Sequence, residues 1–148
     1  HSQPDLKPLA ASFKKHIRKH KLNAHEATIL LMRFVQNIRY QLPTKFPFGV
    51  LPPALVASYR WGDCDSKSLL LHMLLEEIGI HSVILSSNAH AHAVLAVGIP
   101  SRGSFFRYGG KKYAIVETTS KSAPLGFLHP KMLKPNDWVA VPIVVPPI

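Results

Sequence analysis

A chain of 148 residues, 47% of them hydrophobic, is long enough to bury one sizeable core and too short to divide comfortably into two, so residues 1–148 are expected to form a single domain. One cysteine excludes an internal disulfide and a cysteine-based zinc knuckle. The balance of 18 Lys+Arg against 8 Asp+Glu, a formal charge of +10, favours encounter with anionic partners but says nothing of chemistry.

In chain order, Leu9 to about Lys21 reads as a basic amphipathic helix, its run Lys14, Lys15, Arg18, Lys19 and Lys21 forming a solvated face rather than a nucleic-acid patch. Ala24 to about Tyr40 reads as a second helix with Asn23 as its cap and Glu26 three positions on. Leu42 to Pro53 carries four prolines and is expected to be a loop that delivers the chain to Trp61-Gly62-Asp63-Cys64-Asp65-Ser66-Lys67. Ser66 to Ile78, with Leu69, Leu70, Met73, Leu74 and Ile78 at helical spacing and Gly79 to end it, is apolar nearly all round and should be the central helix.

Three short runs rich in β-formers follow, His81 to Ser86, His92 to Ile99 and Lys112 to Thr118, the last two separated by a loop ending in Gly109-Gly110. Trp138 to Val145 reads as one more strand at an edge, where its proline is tolerated; the prolines of the tail also exclude a membrane-spanning helix there. Helices first and antiparallel strands afterwards predict an α+β fold with a buried helix packed on a sheet.

Chemistry concentrates at Cys64, where Gly62, Asp63 and Asp65 break the chain just before the central helix. A thiol in a helix's first turn meets unpaired backbone N–H groups and the positive end of the helix dipole, which favour thiolate and can hold a developing oxyanion. The two flanking carboxylates oppose this unless one of them turns away to cap the helix, and one is expected to do so. A cysteine nucleophile also needs an imidazole within reach and a third group to fix its tautomer. His90 or His92, at the head of an apolar strand, offers the imidazole, and Glu117, at the end of the next, offers the carboxylate. Strand alternation puts His90 and His92 on one face and does not choose between them; His92 is preferred because it adjoins the unbroken apolar run.

Together, WGDCDSKSLLLHMLLEEIGI, HAHAVLAV and YAIVETTS resemble the core of the transglutaminase-like superfamily of papain-like cysteine enzymes, over residues 40–119. The resemblance implies a papain-like fold, Cys64 as nucleophile, His92 as base with His90 as the alternative, and Glu117 as orienting acid, where the family's usual acid is Asp. It further implies a side-chain donor to an oxyanion upstream of the cysteine, for which Tyr40 and Gln36 are the candidates. Tyr59 and Trp61 either line the cleft beside Cys64 or cover the core. The expected activity is acyl transfer from an amide or peptide through a thioester, hydrolysis being favoured over cross-linking to an amine, with an inactive binding module as the rival. No cofactor is implied; His72, on the central helix, is read as packing or meeting the surface, and His16, His20, His25, His81 and His129 lack a shared ligand spacing, so no metal site is assigned. The expected partner is a protein or peptide substrate, acidic or associated with the cell envelope, in a bacterial periplasmic or secreted setting; no specific nucleic acid is expected.

Overall fold

The computed structural model describes residues 7–37 and 63–141, and for residues 63–66 the backbone. Three helices, α1 (Lys7–Lys19), α2 (Ala24–Gln36) and α3 (Asp63–Glu77), precede five strands, β1 (Ser82–Ser87), β2 (His92–Val97), β3 (Phe105–Tyr108), β4 (Lys111–Val116) and β5 (Val139–Val141). The strands form one antiparallel sheet in the order β3-β4-β2-β1-β5. The mixed α+β architecture is therefore as expected, and no helix among the described residues is long and apolar enough to cross a membrane.

Local chemistry accounts for the boundaries. Asn23 Oδ1 accepts from the Glu26 N–H at 2.8 Å while Glu26 Oε1 accepts from the Asn23 N–H at 2.9 Å, a reciprocal cap that starts α2 where the sequence predicts it. The helix runs to Gln36, earlier than the expected end, with Asn37 as its C-cap, whose Nδ2 donates to the Arg33 carbonyl at 2.7 Å; Tyr40 lies outside the described residues, as do Tyr59, Trp61, the proline-rich 42–53 stretch and the tail beyond residue 141. Helix α3 begins at Asp63, three residues ahead of the predicted Ser66, which puts Cys64 within its first turn. Whether Asp63 or Asp65 caps it falls on side chains outside the described set. Gly79 follows at φ +84°, the left-handed conformation that ends a helix without a Cβ penalty.

The chief correction concerns the stretch expected as a loop before Gly109-Gly110. Phe105–Tyr108 is a strand, β3, joined to β4 by a two-residue turn with Gly109 at φ +57° and Gly110 at φ +78°, the positive pair that matches the twist of a hairpin. Strand β3 escapes a periodicity reading because it is an edge strand with little burial and therefore no apolar alternation. Strands β1, β2 and β4 shift by one or two residues from expectation; of the run expected from Trp138 to Val145, Val139–Val141 is β5, which pairs along the opposite edge, on β1, and the rest lies outside the described residues or before the strand.

The sheet is covered on both faces. Ile84, Leu95, Val97 and Val116 meet Leu31, Met32 and Val35 of α2 and Leu69, Leu70, Leu71, Leu74 and Leu75 of α3. On the reverse, Val83, Leu85, Val94, Ala96, Tyr113 and Ile115 pack with Leu128 and Trp138 of the segment leading to β5. Burial of both faces explains why β1, β2 and β4 read as continuous apolar runs. Each of the large leucines of α3 contributes about 1.5–3 kcal/mol by leaving water.

Candidate functional site

Strands β2 and β4 are hydrogen-bonded neighbours with Leu95 opposite Val116, so the first residue of β2 and the residue after β4 lie at the same end of the sheet. There His92 Nε2 and Glu117 Oε1 are 2.7 Å apart, both side chains mostly buried. The second carboxylate oxygen, Oε2, accepts from the Thr119 N–H at 3.1 Å and from Thr119 Oγ1–H at 2.8 Å. Burial, the largest single influence, pushes the Glu117 carboxyl up; the hydrogen bond and charge of His92 and the two bonds from Thr119 together outweigh it and hold the group below the usual carboxylate value. Glu117 is thus an anion at neutral pH. It accepts from Nε2–H, which leaves Nδ1 as the proton-accepting nitrogen of the neutral ring.

The main chain of Glu117 is fixed from α2. Gln36, fully buried, donates through Nε2 to the Glu117 carbonyl at 2.9 Å and to the Ala123 carbonyl at 3.0 Å, and its Oε1 accepts from Arg33 Nη1 at 3.0 Å. Both amide hydrogens are therefore spent on the loop after β4, which gives Gln36 a structural post and leaves it no N–H for an oxyanion. Gln36, offered by the sequence as an oxyanion candidate alongside Tyr40, gives its amide to this loop.

Helix α3 is tied to the same corner. Ser68 Oγ and Thr118 Oγ1 are 3.2 Å apart and fully buried, and Lys67 Nζ donates to the Gln36 carbonyl at 3.3 Å. Burial first, and then the charge of Lys121, lowers the pKa of Lys67. The Glu117-Thr118-Thr119 sequence divides its work by alternation: Thr118 meets α3, while Glu117 takes the other face with His92 and Thr119 secures its carboxylate. Cys64 stands one helical turn, about 6 Å along the axis, before Ser68.

A second imidazole–carboxylate pair lies alongside and was not foreseen. His90 Nε2 is 3.1 Å from Asp137 Oδ2, and its ring stacks on Trp138 at 6.0 Å between centroids; the His92 ring meets the same indole edge-on at 6.4 Å. The two histidines, expected to share a face, are separated by Ala91 at φ +48°. That left-handed residue, at a cost of about 1–2 kcal/mol for a side chain with a Cβ, breaks the alternation and sends the two imidazoles to different acids. Asp137 carries no local signal, since Pro135-Asn136-Asp137 reads as an ordinary turn; only the pairing of β5 with β1 delivers it to His90.

Among the described residues no three His, Cys, Asp or Glu side chains gather as a metal site. No protein-family model, curated protein or solved structure matches the chain.

Proposed function

We propose that the chain is a papain-like cysteine enzyme of the transglutaminase-like kind, which transfers the acyl group of a peptide or side-chain amide to water through a thioester on Cys64. The observation that carries the reading is the 2.7 Å His92–Glu117 pair, set at the sheet end to which the first turns of the Cys64-bearing helix are tied through Ser68 and Thr118.

In this mechanism Glu117 holds the His92 ring with Nε2–H toward the carboxylate, so Nδ1 takes the thiol proton. The Cys64 thiolate attacks the amide carbonyl, and the negative oxygen draws on the backbone N–H groups at the start of α3. Collapse breaks the C–N bond as the imidazolium gives its proton to the leaving amine. Water then attacks the thioester, the imidazole accepts a proton from it, and the carboxylic acid leaves as the thiolate is restored. Glutamate serves in place of the aspartate usual in the resembled family because Thr119 pins the longer side chain from behind.

The test is the rate of alkylation of the single thiol by iodoacetamide as a function of pH. A thiolate paired with an imidazolium gives an inflection well below the free-thiol value of about 8.5. Reaction only after unfolding would overturn the reading and make Cys64 a packing residue of an inactive fold.

A further inference from the structure

The hairpin β3–β4 presents a surface that the chemistry at Cys64 does not use. Strand β3 is an edge of the sheet. Tyr108 and Lys111 close the two-residue turn as a hydrogen-bonded pair, so by antiparallel alternation the N–H and C=O of Arg107 and Phe105 point away from β4. Among the described residues they meet no backbone partner.

Side chains along this edge are basic and aromatic. Arg107, Lys111 and Lys112 are exposed, no acidic residue occurs from Ser104 to Val116, and none of the three ion pairs among the described residues involves them. Phe105 and Tyr108 remain 48% and 44% exposed, far more than isolated core-type residues need be. The phenyl of Phe105 organises the cations, with Lys112 Nζ 4.6 Å and the Arg107 guanidinium 5.8 Å from its centroid.

A hollow flanks the strand on each face of the sheet. One, of about 450 Å³, is lined by Leu85, Phe106, Ile115, Leu133 and Trp138 with Arg107. The other, of about 480 Å³, is lined by Ile99, Pro100, Ala114 and Phe105 with Lys111 and Lys112. An added strand sends successive side chains to opposite faces, hence alternately toward these two hollows.

We propose that edge strand β3 docks an extended, acidic segment of a partner polypeptide by strand addition, its main chain pairing with Phe105 and Arg107, its apolar side chains entering the hollow beside Phe106 and Trp138 and its alternate, acidic side chains meeting the lysines of the other hollow. Charge complementarity selects an acidic partner over a second copy of this chain, which carries +10 and would set the same cations against each other. It is a polypeptide rather than a nucleic acid because the Phe105 ring already carries two cations where a base would stack, while outward main-chain groups and paired hollows match a strand. The inference is independent of whether Cys64 is reactive.

The experiment measures fluorescence anisotropy of a labelled ten-residue peptide alternating Glu and Val, titrated with the full chain. Two further peptides carry N-methyl groups on the Glu set or on the Val set. Saturable binding that weakens with salt, falls at least tenfold for one of the N-methyl peptides, and falls similarly in an Arg107→Glu/Lys112→Glu variant of unchanged thermal stability supports strand addition. Equal binding of both N-methyl peptides, indifference to the charge reversal, or no binding at millimolar protein overturns it. Tighter binding of a ten-nucleotide oligo-dT, lost in the same variant, would replace the polypeptide with single-stranded nucleic acid.

Discussion

Replacing Glu117 by Gln keeps the size of the side chain and removes its charge. In the parent the carboxylate oxygen lies 2.7 Å from His92 Nε2, with both side chains at 16% exposure or less. With charge centres about 4 Å apart and an effective dielectric near 20, the attraction between carboxylate and imidazolium is about 4 kcal/mol. Each 1.36 kcal/mol is a factor of ten, so loss of the full term lowers the stability of the thiolate–imidazolium pair about a thousandfold. The amide can also present an N–H to Nε2, which favours the wrong tautomer. The inflection of iodoacetamide alkylation should therefore move toward the free-thiol value of about 8.5, where only about 3% of the thiol is ionised at pH 7, so the rate at neutral pH should fall by up to about thirtyfold. Folding should respond less: the Gln oxygen still accepts from Thr119, and the carboxylate's own contribution, complete above the ordinary value of 4.5, is lost as pH falls through its lower folded pKa. The parent should thus lose stability on acidification below pH 4.5 more steeply than the variant. An unchanged alkylation profile in a folded Glu117→Gln protein would refute the orienting role.

Separate changes at the two histidines should diverge: His92→Ala abolishes the low inflection of Cys64, whereas His90→Ala removes the Asp137 contact and lowers the melting temperature with the inflection retained. The reverse result would transfer the base to His90 and its acid to Asp137. Gln36→Leu leaves the Glu117 carbonyl without its side-chain donor and the Ala123 carbonyl with the 3.3 Å bond from Arg33 Nη1, and should cost about 1–3 kcal/mol in chemical denaturation; a neutral result would remove Gln36 from the support of the site. His72 is buried against Ser82, with Nδ1 2.7 Å from Oγ, and burial, the leading influence, lowers its pKa. The unfolded chain then binds the proton first, so stability falls as pH drops below 6.5, and His72→Gln should flatten that part of the stability curve relative to the parent. Trp138→Ala empties the space between both imidazoles and the reverse face of the sheet and should cost about 3–5 kcal/mol by thermal or urea unfolding.

What the sequence determined by itself is whatever depends on neighbours along the chain. The Asn23–Glu26 cap, the apolar helix ended by Gly79 and the runs that became β1, β2 and β4 are local signals, because capping, helical period and β-propensity act within a few residues. The pairing of Glu117 with His92 was also within reach, since it needs only that two consecutive buried runs be hydrogen-bonded neighbours in the sheet. Only the tertiary structure decided that Asp137 meets His90, that Gln36 spends its amide on the Glu117 carbonyl, and that Phe105–Tyr108 is an edge strand. The first two bonds join groups 47 and 81 residues apart, where no period or spacing in the chain records which donor will find which acceptor. The edge strand escaped notice because a strand exposed to solvent is held by main-chain bonds to β4, and those bonds are the same for every side chain.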